Sequence, residues 1–260
     1  MDSWPFLQDQ IKSFTQNSEL NKLPEFSNIA IFDPPLVGVA SPIDSLWGEL
    51  KEPEVVGKGH LSPQDWLADA KSVIVYFLPF SKQIREANRV EGLPALEWVY
   101  GRIEGEEFNR ALRQHIVDAI QQLGCRAIAP ALSERLKTIE RRSNWSERHA
   151  AFISGLGTFG LSRSLITSKG SAGRIGSVVA NLDLTPTPRK YQRVYEYCTW
   201  VEKQECGDCI DRCPSNAITP KEKQTAICSN YLKNVTKVKF APRYGCGKCQ
   251  TAVACESSIP

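Results

Sequence analysis

Eight of the nine cysteines in this chain fall between positions 198 and 255, and only Cys125 precedes them. That crowding constrains the fold more than any other feature. Apolar periodicity is poor over residues 186–260, and Pro186, Pro188, Pro214, Pro220, Pro242 and Pro260 interrupt it. A hydrophobic core alone cannot organise such a stretch. A secreted disulfide scaffold is short and spreads its cysteines along its length. This chain has 260 residues and opens Met1-Asp2-Ser3-Trp4-Pro5, without the charged start and apolar run of a signal peptide. A cytoplasmic protein with metal sites is the expectation.

The spacing narrows the metal. The first group is Cys198, then Cys206-x2-Cys209-x3-Cys213-Pro214; the second is Cys228, then Cys246-x2-Cys249-x5-Cys255. Two-cluster ferredoxins use C-x2-C-x2-C-x3-C-P, and the cysteine before the proline ligates the other cluster. A C-x2-C pair puts two thiolates on one turn, while the cysteine before proline leaves in another direction. On that pattern Cys198, Cys206, Cys209 and Cys255 hold one 4Fe–4S cluster. Cys213, Cys228, Cys246 and Cys249 hold the other. The insertion Trp200–Glu205 pushes the first cysteine upstream, and Cys255 comes late and precedes Glu256 rather than proline. Paired zinc sites are the alternative, since C-x2-C also builds zinc ribbons. Radical chemistry of the C-x3-C-x2-C type is disfavoured, because position 216 is Asn216. Cys125 reads as a packed small side chain.

Upstream, the pattern alternates. Residues 1–25 read as an amphipathic helix, Asn28–Phe32 as a short strand, and residues 36–60 as loops. Ser72–Leu78 is a continuous apolar run suited to a buried strand. Phe108, Leu112, Ile116, Ile120 and Leu123 recur at helical steps through Glu104–Leu123, with Gly124 placed to end the helix. Cys125–Ala129 and Ile175–Leu184 read as further strands. The expected fold is α/β (α+β), with residues 1–185 as one domain and 186–260 as a second. Net charge is only +3, too weak to argue for nucleic acid. No apolar run is long enough to span a membrane.

Gly155-Leu156-Gly157-Thr158-Phe159-Gly160 matches G-x-G-x-x-G. A dinucleotide site needs a strand before it and a long helix after it. Gly170, Ser171 and Gly173 interrupt any such helix, and Trp145–Ser154 reads at least as well as helix. Close backbone approach or a tight turn explains the glycines better.

Ser146-Glu147-Arg148-His149-Ala150-Ala151, Ser154 through Gly160, Leu165-Ile166-Thr167 and Gly170 through Val179 together resemble the core of epoxyqueuosine reductases. Reductive dehalogenases share much of that pattern, and Asp69 through Val75 is similar to the family's early strand. The likeness spans roughly residues 30–260. It implies a nitroreductase-like corrin-binding domain followed by a two-cluster ferredoxin-like domain. It also implies base-off cobalamin against the glycine segment, with the clusters feeding electrons to cobalt; such a protein's part is to place and tune the cofactor. The cofactor-binding residues so implied are Trp145, Ser146, His149, Gly155, Gly157, Thr158, Phe159, Gly160, Ile166, Thr167 and Arg174. The family's proton-donating Asp falls here at Arg141, and the helical-repeat tail that helps hold tRNA is not present, so tRNA is not the expected substrate.

Single side chains carry alternatives. His149 is either a proton donor or a capped surface histidine. Tyr100 is an acid or a packing residue. Arg141 and Arg142 form an anion pocket or are solvated. Arg174 touches cofactor or pairs with an acid. Trp145 and Phe159 stack on the corrin or belong to the core. The leading expectation is a corrinoid-dependent reductase of a small molecule, fed by an external donor such as ferredoxin or flavodoxin. The other is an electron-transfer protein or reductive activator of a partner corrinoid protein.

Overall fold

The computed structural model describes residues 3–260. Helix α1 (Ser3–Asn17) buries Leu7, Ile11 and Thr15. It ends earlier than expected, and Ser18 caps a following 3-10 turn. The strand expected over Asn28–Phe32 shrinks to the two residues Ile29–Ala30.

Four antiparallel strands form the main sheet. They are β1 (Leu36–Ala40), β2 (Ser72–Pro79), β3 (Ala127–Ile128) and β6 (Gly173–Ala180), in the order β1-β2-β6-β3. Register runs from Ser72 opposite Ala180 to Pro79 opposite Gly173, and from Leu36 opposite Phe77 to Ala40 opposite Val73. All of β2 is buried. A continuous apolar run also suits a central antiparallel strand when both sheet faces are covered. Residues 36–60, expected as loops, thus contain an edge strand, whose Gly38 broke the apolar pattern.

The two faces of the sheet divide by parity. Ile74, Tyr76, Leu78 and Val178 pack with α1 and with α2 (Leu96–Gln122). Val73, Val75 and Val179 pack with Trp47, Trp66, Trp145 and α3 (Glu147–Ile153). That alternation is the period-two rule of a strand. α2 begins eight residues before the expected start. Burial of Trp98 and Val99 outweighs the low helix propensity of Gly101 and Gly105. Gly124 ends it at φ +75°, its N–H donating to the Gln121 carbonyl.

The glycine motif lies in a hairpin. β4 (Gly157–Phe159) pairs antiparallel with β5 (Leu165–Thr167), so no helix follows the glycines as a dinucleotide site requires. Residues 187–197 then cross the sheet layer. The Thr187 N–H donates to the Val39 carbonyl, and Tyr191 is buried in the same core as Trp145. Beyond Cys198 the chain has only short helical pieces, among them α4 (Thr225–Tyr231). Among the described residues no helix is long and apolar enough to cross a membrane.

Candidate functional site

The eight C-terminal thiols sort into two quartets. Cys198, Cys206, Cys209 and Cys255 all line one small pocket, together with Gly160, Leu161 and Ile166. Cys213, Cys228, Cys246 and Cys249 all line a larger cavity of about 370 Å³. Mutual electrostatics follow this division at Cys255 and Cys246 but not at Cys209, where the strongest influence from another thiol is that of Cys249. Burial pushes Cys255 up to about 11, and Cys198 and Cys206 add to it. Burial pushes Cys246 up to about 12, helped by Cys249, Cys228 and Cys213. Cys209 is also raised to about 12 by burial, and its neighbours include Cys249 as well as its own quartet. The two groups therefore adjoin at Cys209 and Cys249.

Crowded, buried thiolates repel one another, and a bound metal core relieves that repulsion while holding the sulfurs ionised. This donor set fits metal. Among the described residues, no three His, Cys, Asp or Glu side chains converge closely enough for a single ion.

The cavity over the second quartet is walled on its other side by the α/β layer. Phe77 comes from β2, Trp98 and Arg102 from α2, Glu147 and Arg148 from α3, and Arg174 from β6. Arg174 donates to Glu106 Oε2 at 2.6 Å and to the Arg102 carbonyl. Burial pulls it down to about 10 against the attraction of Glu106. The acid partner is thus Glu106.

Glu147 heads a polar network that crosses the sheet. It accepts from the Ser177 hydroxyl and lies 3.4 Å from Arg113 Nε. Arg113 in turn donates to Glu106 Oε1 at 3.0 Å and to the Ile175 carbonyl at 3.3 Å. Burial raises the Glu147 carboxyl above its ordinary range, opposed by Arg113 and Ser177. Glu147 Oε1 has no hydrogen-bond partner in the structure.

Of the residues expected to bind cofactor or act as acids, only Arg174 lines this cavity; Gly160 and Ile166 line the first quartet's pocket. Trp145 is buried, stacked on Trp47 at 5.3 Å, and donates to Ser177 Oγ at 2.9 Å. Ser146 Oγ and His149 Nδ1 are 2.7 Å apart. His149 packs on Phe159, and burial with nearby Arg148 and His60 lowers it to about 4. Thr158 accepts from the Tyr197 N–H, and Thr167 donates to the Gly170 carbonyl. Gly155 turns at φ +81° against Pro188, while Gly157 is pressed against the Ile166 carbonyl. Tyr100 lies under the Arg243 guanidinium, and Arg141 sits in an exposed turn at φ +66°. Glu106, Arg113, Lys223 and Lys248 escaped the sequence reading, because isolated charged residues carry no spacing signal.

No family model matches this chain, and no curated protein does. Solved structures do. An epoxyqueuosine reductase with a modified tRNA-Tyr stem loop is 17% identical, with a TM-score of 0.54 over 98% of this chain and 66% of that one. The epoxyqueuosine reductase from Bacillus subtilis is 18% identical, with a TM-score of 0.52 and the same coverage. A reductive dehalogenase, described for a mechanism of B12-dependent dehalogenation, is 12% identical with a TM-score of 0.54; 90% of this chain and 34% of that one are covered. The chain thus spans about two thirds of the reductases' length and a third of the dehalogenase's. Its fold is the one shared by epoxyqueuosine reductases and reductive dehalogenases.

Proposed function

We propose that this protein is an iron–sulfur oxidoreductase that carries electrons through two 4Fe–4S clusters to a redox centre in the cavity beside the second quartet. The observation that carries this reading is the lining of that cavity, which brings all four second-quartet thiols against the wall formed by Arg174, Glu147 and Arg148. Residues 198–260 act as the cluster-bearing unit, and the α/β layer supplies the opposite wall. A cubane presents a different iron to each of its four cysteines. The Cys-x2-Cys-x3-Cys-Pro spacing of Cys206 to Pro214 favours it over tetrahedral zinc.

Cobalamin is the group that the fold relatives bring to mind, and it would supply a metal centre able to take single electrons. The cavity offers it polar edges in Ser162, Ser164, Ser171 and Gln250. Its volume of about 370 Å³ is near the low end for a drug-sized ligand. A whole corrinoid is larger, so the two walls must part to admit one. A cluster on the four thiols that line this cavity would fill part of it, and the remainder suits a small molecule. That size favours a second reading, in which this protein reduces a corrinoid held by a partner.

Anaerobic purification with cobalamin, followed by iron, sulfide and cobalt analysis and EPR, tests both. About eight irons per chain, four for each quartet, are expected. Cobalt uptake supports the corrinoid reductase; full iron without cobalt at any concentration leaves the electron-transfer protein and the reductive activator. Cys209→Ala should lose about one cluster, and two intact clusters in that variant contradict the partition. Turnover of epoxyqueuosine in tRNA is expected to be absent.

A further inference from the structure

The surroundings of the two quartets differ in charge. Around the second, donors point at sulfur. The Ala217 N–H is 3.2 Å from Cys213 Sγ, and the Ser215 hydroxyl is 3.5 Å from it. Lys223 Nζ lies 3.9 Å from Cys249 Sγ while donating to the Ser162 carbonyl at 3.0 Å. Lys248, between Cys246 and Cys249, is fully buried, its ammonium donating to the carbonyls of Asn88 and Val90. Arg212, next to Cys213, donates to the same two carbonyls and to that of Thr251, each at 3.2 Å. Every hydrogen bond described for these three cations runs to a carbonyl oxygen or to sulfur, so carboxylates do not cancel their charge.

The first quartet has the opposite setting. One hydroxyl, that of Ser171, stands 3.6 Å from Cys255 Sγ. Glu205 and Asp208 flank Cys206 and Cys209 in sequence. Glu205 is in a 3.9 Å ion pair with Lys203, while Asp208 has no cation partner among the described residues and accepts from the Ala254 N–H at 2.7 Å. Cluster potentials respond to net charge, to hydrogen bonds on sulfur and to exposure. Cations and N–H donors near sulfur favour the form carrying the extra electron; nearby carboxylates disfavour it.

We infer that the second quartet holds the more oxidising of the two clusters, and that Lys223, Lys248 and Arg212 set this order. The inference rests on reading both quartets as 4Fe–4S sites. A low-potential one-electron carrier of the ferredoxin or flavodoxin class supplies the electron. One electron then leaves the first site, which is oxidised, and enters the second, which is reduced; no bond or proton moves. The three cations hold that electron beside the cavity, which Lys223 and all four thiols of the second quartet line.

An EPR-monitored redox titration of the full, iron-replete chain tests this. Two separate waves are expected. Lys223→Gln should lower the upper wave and leave the lower one in place. A tenfold change in the ratio of reduced to oxidised sites corresponds to about 59 mV for one electron. Lys223→Arg should restore the wild-type position. Coincident waves, or a Lys223→Gln shift confined to the lower wave, would overturn the inference while about eight irons per chain keep the functional reading intact. An iron content near four or below overturns both.

Discussion

A Cβ at position 157 would lie 2.0 Å from the Ile166 carbonyl oxygen, and β4 meets β5 because glycine has none. Gly157→Ala must push the hairpin apart, at a cost of about 1–3 kcal/mol. Urea denaturation should show that loss, whereas Gly48→Ala, with nothing within 4 Å of the new methyl, should hold or slightly gain stability. The histidines make a second prediction. Burial lowers His60 and His149 from 6.5 to about 4, with Lys51 adding to the effect at His60 and Asp65 opposing it. Between those values the unfolded chain binds more protons than the folded one. Stability is therefore complete above about pH 6.5 and falls as the pH drops toward 4. Denaturation midpoints measured across that range should fall with pH. His60→Phe, which keeps a ring against Trp145, should flatten the slope by up to one proton.

At the level of elements, the strand β2 was legible because an unbroken apolar run admits few other fates. The edge strand β1 was not, since Gly38 and the neighbouring prolines mimic a loop. The G-x-G-x-x-G hairpin shows how a spacing rule fails when the glycines serve steric contact between strands. The grip of α2 on the sheet was equally invisible. Tyr76 donates to Asn109 Oδ1 at 2.7 Å, and Asn109 Nδ2 donates to the Ile175 carbonyl at 3.2 Å. Tyr76→Phe leaves the Asn109 acceptor buried and unpaired. We expect a loss of about 1–3 kcal/mol, read as a lower denaturation midpoint without a change in far-UV circular dichroism.

Over the whole molecule, the spacing proposed a grouping of the thiols, but the cavity beside Cys213, Cys228, Cys246 and Cys249 could not be foreseen. Its opposite wall converges from four separate elements, three of which contribute one or two charged side chains while β2 contributes Phe77. The cysteine-rich segment is also latched to the α/β layer. Glu256, nearly buried, accepts from Arg89 at 2.8 and 3.1 Å and from Arg85 at 3.3 Å. Asn88 Nδ2 donates to the Cys246 carbonyl at 3.0 Å. Removing iron with a chelator should expose residues 198–260 to hydrogen exchange while amides of β2 and β6 stay protected, because metal binding there is folding energy. Loss of protection throughout would mean that the two parts unfold as one. Glu256→Gln should loosen the latch, and the weakening should vanish at low pH, where Glu256 itself is protonated. Its carboxyl is held below the ordinary range by Arg89, the Ala252 N–H and Arg85, against its burial.

The order of the quartets along the chain has one more outcome. The cysteines of the second, Cys213 through Cys249, all lie between Cys209 and Cys255 of the first. One loop is nested inside the other. The inner group is complete in sequence before Cys255, a residue that the outer group alone needs. A chain truncated just before Cys255 should mature with its inner site filled and its outer site open.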